Sequence, residues 1–93
     1  MRRPHLGDVV AAARALRAVR WESRAGLLAA LFREAGEAHR HGHETGANHP
    51  GHGDGSLMAA ALRHPCVREP GLEDADYCRC LALVLLAVAA RRD

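Results

Sequence analysis

The sequence predicts an all-α protein: a small bundle of three longer helices and one short one, built as a single domain. Three observations carry that expectation. Apolar residues recur at the helical period in four separate stretches, approximately 8–19, 22–40, 56–64 and 74–91. No stretch alternates with the two-residue period of a half-buried strand. A segment dense in His, Gly, Asn and Pro, residues 41–54, separates the second stretch from the third, and its breakers forbid regular structure.

The first helix is expected to start at Asp8, whose carboxylate can cap the free amides of a first turn. Val9, Ala12, Ala13, Leu16 and Val19 then mark one stripe, with Arg14 and Arg17 off it. The stripe breaks before Ser23. A second begins with Leu28, Leu31, Phe32, Ala35 and Ala38, flanked by Arg24 and Leu27. Gly36 costs that helix about 1 kcal/mol relative to Ala. Its end is placed near Arg40, where His and Gly begin to alternate.

The third helix is short. Asp54 or Ser56 is its expected cap, Leu57, Met58, Ala61 and Leu62 its apolar residues, and Pro65 its stop. The fourth opens with Asp74 as cap and Asp76 in the first turn, where a carboxylate meets the positive helix end. Tyr77, Leu81, Val84, Leu85 and Val88 form its expected core stripe. Cys80, Leu83, Leu86 and Ala87 make the opposite side apolar too, and Arg91 and Arg92 suit its C-terminal end. A helix apolar all round is either central or at an interface. With one Trp, one Tyr and one Phe in the chain, covering it completely is hard. Leu83, Leu86 and Ala87 are therefore the candidate interaction surface.

Composition narrows the function classes. The chain has 93 residues, the length of one modest domain. It holds 19 Ala, 12 Leu and 13 Arg but no Lys, Ile or Gln, a usage that matches a GC-rich coding preference rather than selection for basicity. The formal net charge is only +2 against eleven carboxylates, far from the footprint of a nucleic-acid domain. Three cysteines cannot close an intramolecular disulfide set. The N-terminal residues lack the apolar core of a signal peptide. The longest apolar run, Cys80 to Ala90, is well short of the roughly 20 residues of a membrane span. A cytoplasmic setting with free thiols is expected, with no membrane association and nucleic acid an unfavoured partner.

Five of the seven histidines fall between His39 and His52. His39 and His43, four apart, would share a helical face, and His41 would point away. His49 and His52 could complete a metal set only if the loop folded back. The zincin signature is absent. We read the segment as a solvated loop and expect no cofactor, with a metal-binding module on His39, His43, His49 and His52 as the alternative. Cys78 and Cys80, two apart on a helix, point about 200° apart and cannot reach one metal. "HGDGS", His52 to Ser56, runs a glycine turn into a helix start, but Asp54 would repel phosphate and the P-loop Lys is missing. Arg14, Arg17, Arg20 and Arg24 offer a basic patch. The two helices that carry it would suit a small DNA-associated regulator, the third reading, yet "WESRAGLLAAL" has little polar surface for base edges.

"GDVVAAARAL", "GDGSLMAAAL" and "DADYC", in that order, resemble a family of short, uncharacterised bacterial proteins from GC-rich genomes, a domain of unknown function. The resemblance spans most of the chain. It implies that Gly53, Asp54, Gly55 and Ser56 form a family turn amid variable histidines. It implies no activity, so no catalytic residue is transferred. The expectation is a non-enzymatic helical adaptor or accessory protein that meets a protein partner, or a second copy of itself, through its last helix.

Overall fold

The computed structural model describes residues 1–91, and all-α architecture is what it shows. Four helices follow in order: α1 Leu6–Arg17, α2 Trp21–Thr45, α3 Leu57–Ala61 and α4 Ala75–Ala90. Among the described residues the only extended pairing is one antiparallel bridge between His49 and Gly53. Arg92, expected at the end of the last helix, lies outside the described residues.

α1 is the central helix. Val9, Ala11, Ala12, Ala13, Ala15 and Leu16 are all buried, so it is covered on nearly every side. α2, α3 and α4 each pack on it, and α3 also packs on α2. Alanine explains this arrangement, because small side chains let helix axes approach closely. The outer helices contribute the larger pieces of core: Leu28, Leu31 and Phe32 from α2, Leu57 from α3, and Tyr77, Cys80 and Val84 from α4.

Several helix ends fall elsewhere than expected, and α1 stops at Arg17 rather than near Val19. His5, not Asp8, is the N-cap of α1. Asp8 sits in the first turn and reaches back, accepting from the His5 N–H at 2.8 Å. Its other oxygen accepts from the Met58 N–H, also at 2.8 Å, so one buried carboxylate serves the starts of α1 and α3 together. α2 does not stop near Arg40. It continues to Thr45 and ends on Gly46, whose left-handed φ of 74° lets its N–H return to the Gly42 carbonyl. The Gly42 penalty is tolerable inside a long helix, whereas Gly46 is a true C-cap. α3 is shorter than expected and closes at Ala61, with Ser56 as its cap. α4 begins as anticipated, with Asp74 accepting from the Tyr77 N–H at 2.8 Å, and ends at Ala90.

The basic patch of the third reading does not form, because Arg24 is not at the surface. It is 6% exposed and donates to the Leu16 carbonyl at 2.9 Å. Its two terminal nitrogens grip both oxygens of Asp76 at 2.7 and 2.8 Å. Arg17 joins the same group, 3.3 Å from Asp74 and 3.4 Å from Asp76. Arg14 donates to the Val67 carbonyl at 2.8 Å. Three of the four arginines of the supposed patch are thus spent on joining α1 to α2, α4 and the segment before α4. Only Arg20 stays in solvent, beside Glu22.

Candidate functional site

Packing divides α4 into two faces. Tyr77, Cys80 and Val84 are buried against the core, and Leu81, Ala87 and Val88 pack at its edge. The outward side carries Ala82, Leu83, Leu85, Leu86, Ala89 and Ala90, with Ala75 and Arg79 nearer the start. Leu83, Leu85 and Leu86 are 44%, 50% and 70% exposed. Leu85 was expected on the core stripe and is instead outward. Ala87 was grouped with the outward residues and instead borders the core. Because α4 is apolar all round, its sequence is compatible with either rotation, and contact with α1 selects one. The face left in water is continuous, and Arg79 is its sole charge.

A smaller apolar surface lies between α1 and α3. Leu6, Val10, Met58 and Leu62 line a groove of about 370 Å³, rimmed by Arg14 and Glu69. It is a shallow feature beside the α4 face.

The histidines assemble differently from the expected set. His39 and His43 lie exposed on α2 and meet no other histidine. His41, expected to point away, is the one that meets the loop: its ring is 5.0 Å from that of His49, edge-on. His49 and His52 stack at 4.5 Å. Glu37, which sequence reasoning did not single out, stands 3.3 Å from His52 Nε2 and 3.6 Å from Arg33. The cluster is therefore Glu37, His41, His49 and His52.

This geometry is poorly suited to a metal. Ligating imidazoles donate their second nitrogen's hydrogen to an acceptor. His49 Nδ1 does the opposite, accepting from the backbone N–H groups of Gly51 and His52 at 2.9 and 3.0 Å. With Nδ1 unprotonated, the hydrogen is on Nε2, which then has no lone pair to offer. Stacked rings also direct their nitrogens side by side rather than toward one point. Among the described residues no three His, Cys, Asp or Glu side chains are placed to hold an ion.

The approach to α3 explains the "GDGS" turn. Gly53 and Gly55 have φ of 89° and 93°, where other residues are strained. A Cβ at Gly55 would stand 2.8 Å from the His39 Cα, because the chain crosses directly over the α2 backbone there. Asp54 accepts from the Ser56 N–H and pairs with Arg2, and those contacts hold its carboxyl below the usual range, Ser56 contributing most. Asp54 is thus tied up in holding the turn.

Cys80 and Cys66 are placed for packing. Cys80 and Cys66 both have pKa values pushed up by burial, which disfavours the nucleophilic thiolate. Cys78 diverges from Cys80 and donates to the Leu72 carbonyl at 3.1 Å. No helix among the described residues is long and apolar enough to cross a membrane.

The family model of DUF7742, a domain of unknown function, matches residues 2–88, and the chain belongs to that family. The match takes in α1, α2, α3, most of α4 and the glycine turn. No curated protein and no solved structure matches the chain.

Proposed function

We propose that this DUF7742 member is a non-enzymatic helical interaction protein that docks through the outward face of α4, and that its occupant is α4 of a second copy. The observation that carries the reading is the continuous exposure of Leu83, Leu85 and Leu86 on a helix whose opposite side is already buried. Contiguous apolar surface of this kind marks association sites in soluble proteins.

Self-pairing follows from the spacing of the small residues. Ala75, Ala82 and Ala89 recur every seven residues along the exposed side, the repeat that keeps one seam facing a partner helix. A two-fold axis beside Ala82 sets Ala75 of one copy against Ala89 of the other and lets the leucines fill either flank. Sixteen residues make a helix roughly 24 Å long, and its outward half offers on the order of 400 Å² per copy. That is about half of a standard interface, so the pairing is weak and concentration-dependent.

Replacing Leu83 and Leu86 together by Glu tests the reading. Helical circular dichroism should be retained, and the sedimentation coefficient should lose its rise with concentration. Unfolding of the double variant would assign those leucines to the core. Unchanged self-association would move the interface off α4.

A further inference from the structure

The turn that follows α2 is closed by an imidazole acting as a hydrogen-bond acceptor. His49 Nδ1 takes the N–H groups of Gly51 and His52, the closure that an Asn or Asp side chain gives an Asx turn. The main chain completes it. The His49 N–H donates to the Gly53 carbonyl at 2.7 Å, and the Gly53 N–H returns to the His49 carbonyl at 3.0 Å. A nitrogen that accepts two N–H groups has no hydrogen of its own, so the closed turn requires a neutral ring. We infer that His49 is an acid-sensitive latch: neutral, it holds residues 49–53 shut, and protonation at Nδ1 opens them by setting a third N–H against two others.

The surroundings favour the neutral ring. His52 stacks on one side and His41 meets it edge-on, both from positions where any charge they gain opposes a charge on His49. Arg63, beyond α3, adds positive charge. Glu37 alone opposes this, and its carboxylate is already shared between His52 and Arg33. Partial burial first, then His52 and His41, lower the His49 pKa from 6.5. A lowered folded value means that the unfolded turn binds the proton more readily. Closure is therefore fully stabilised above about pH 6.5 and is lost as pH falls through the folded value. The turn leads into Gly55, whose carbonyl takes the Arg2 N–H and whose backbone lies over His39, so opening frees the strap that crosses α2.

Amide hydrogen exchange on the full chain tests the latch. Protection factors at Gly51, His52 and Gly53 should fall several-fold between about pH 7.5 and about pH 5, with a ceiling near 30-fold for one proton. Amides of α1 should keep theirs. His49→Asn supplies an oxygen that accepts the same N–H groups without titrating, so its turn should stay protected in acid. Three results overturn the inference: equal protection in the parent at both pH values, the parent's pH dependence persisting in His49→Asn, or that variant unprotected throughout. Nitrogen NMR of the parent gives an independent reading. The Nε2–H tautomer of His49 is expected near neutrality, and an Nδ1–H tautomer would overturn the latch.

Discussion

Arg24 and Asp76, 52 positions apart, form a two-point ion pair that locks the start of α2 to the start of α4. Arg24 is buried and Asp76 lies at the rim, so the charge most in need of a partner is the guanidinium. The same arginine holds the Leu16 carbonyl near the end of α1, and three helices meet at this one side chain. A planar fork suits that task, and Lys could not reproduce it.

Removing the carboxylate should expose the dependence. The Arg24 guanidinium holds the Asp76 carboxyl below the usual range near 3.8. For a depressed carboxylate, the stabilisation is present above the unfolded value and is lost as pH falls through the folded one. Asp76→Asn should therefore melt well below the parent at neutral pH, with the gap closing below about pH 4. Melting curves across that range check it. A gap of the same size in acid would show that the pair is not the cause.

Two leucine truncations separate core from surface. Leu31 is fully buried, and Leu31→Ala should cost about 2–5 kcal/mol. Leu85 is half exposed, and Leu85→Ala should stay within about 1 kcal/mol of the parent. Denaturant unfolding measures both. Equal losses would place Leu85 in the core, as the periodicity alone suggested.

That contrast shows how much of the fold the sequence carried. The caps Ser56 and Asp74 were legible because capping is a local transaction between neighbours. The stripe of α2 was legible because that helix has one apolar side, unlike α1, where Ala11 and Ala15, off the expected stripe, are buried as well. α4 has two, and only its contact with α1 distinguishes Val84 from Leu85. The end of α2 was misplaced because His–Gly alternation resembles a break, while the chain at Gly55 lies over His39 and the helix runs on beneath it. His41 was set aside by spacing on α2, yet its partner His49 comes from the returning loop. Contacts such as Arg24 with Asp76 leave no mark in local pattern.

Glycine substitutions should divide by environment. Gly55 combines a left-handed φ with backbone contact, and Gly55→Ala should destabilise by about 1–3 kcal/mol or more. Gly26 sits inside α2 with open space at its Cβ position, and Gly26→Ala should stabilise by about 0.5–1 kcal/mol. Thermal unfolding of the two variants provides the check. A neutral Gly55→Ala would mean that the strap over His39 moves away at little cost.

Pairing of two copies through α4 is the central claim, and amide NMR shifts across a dilution series test it most directly. On raising the concentration, the shifts of Ala82, Leu83, Leu86, Ala89 and Ala90 should move together toward one bound state, while those of α1 stay fixed. Invariant spectra up to about millimolar protein, or shifts confined to the Leu6, Met58 and Leu62 groove, would contradict it.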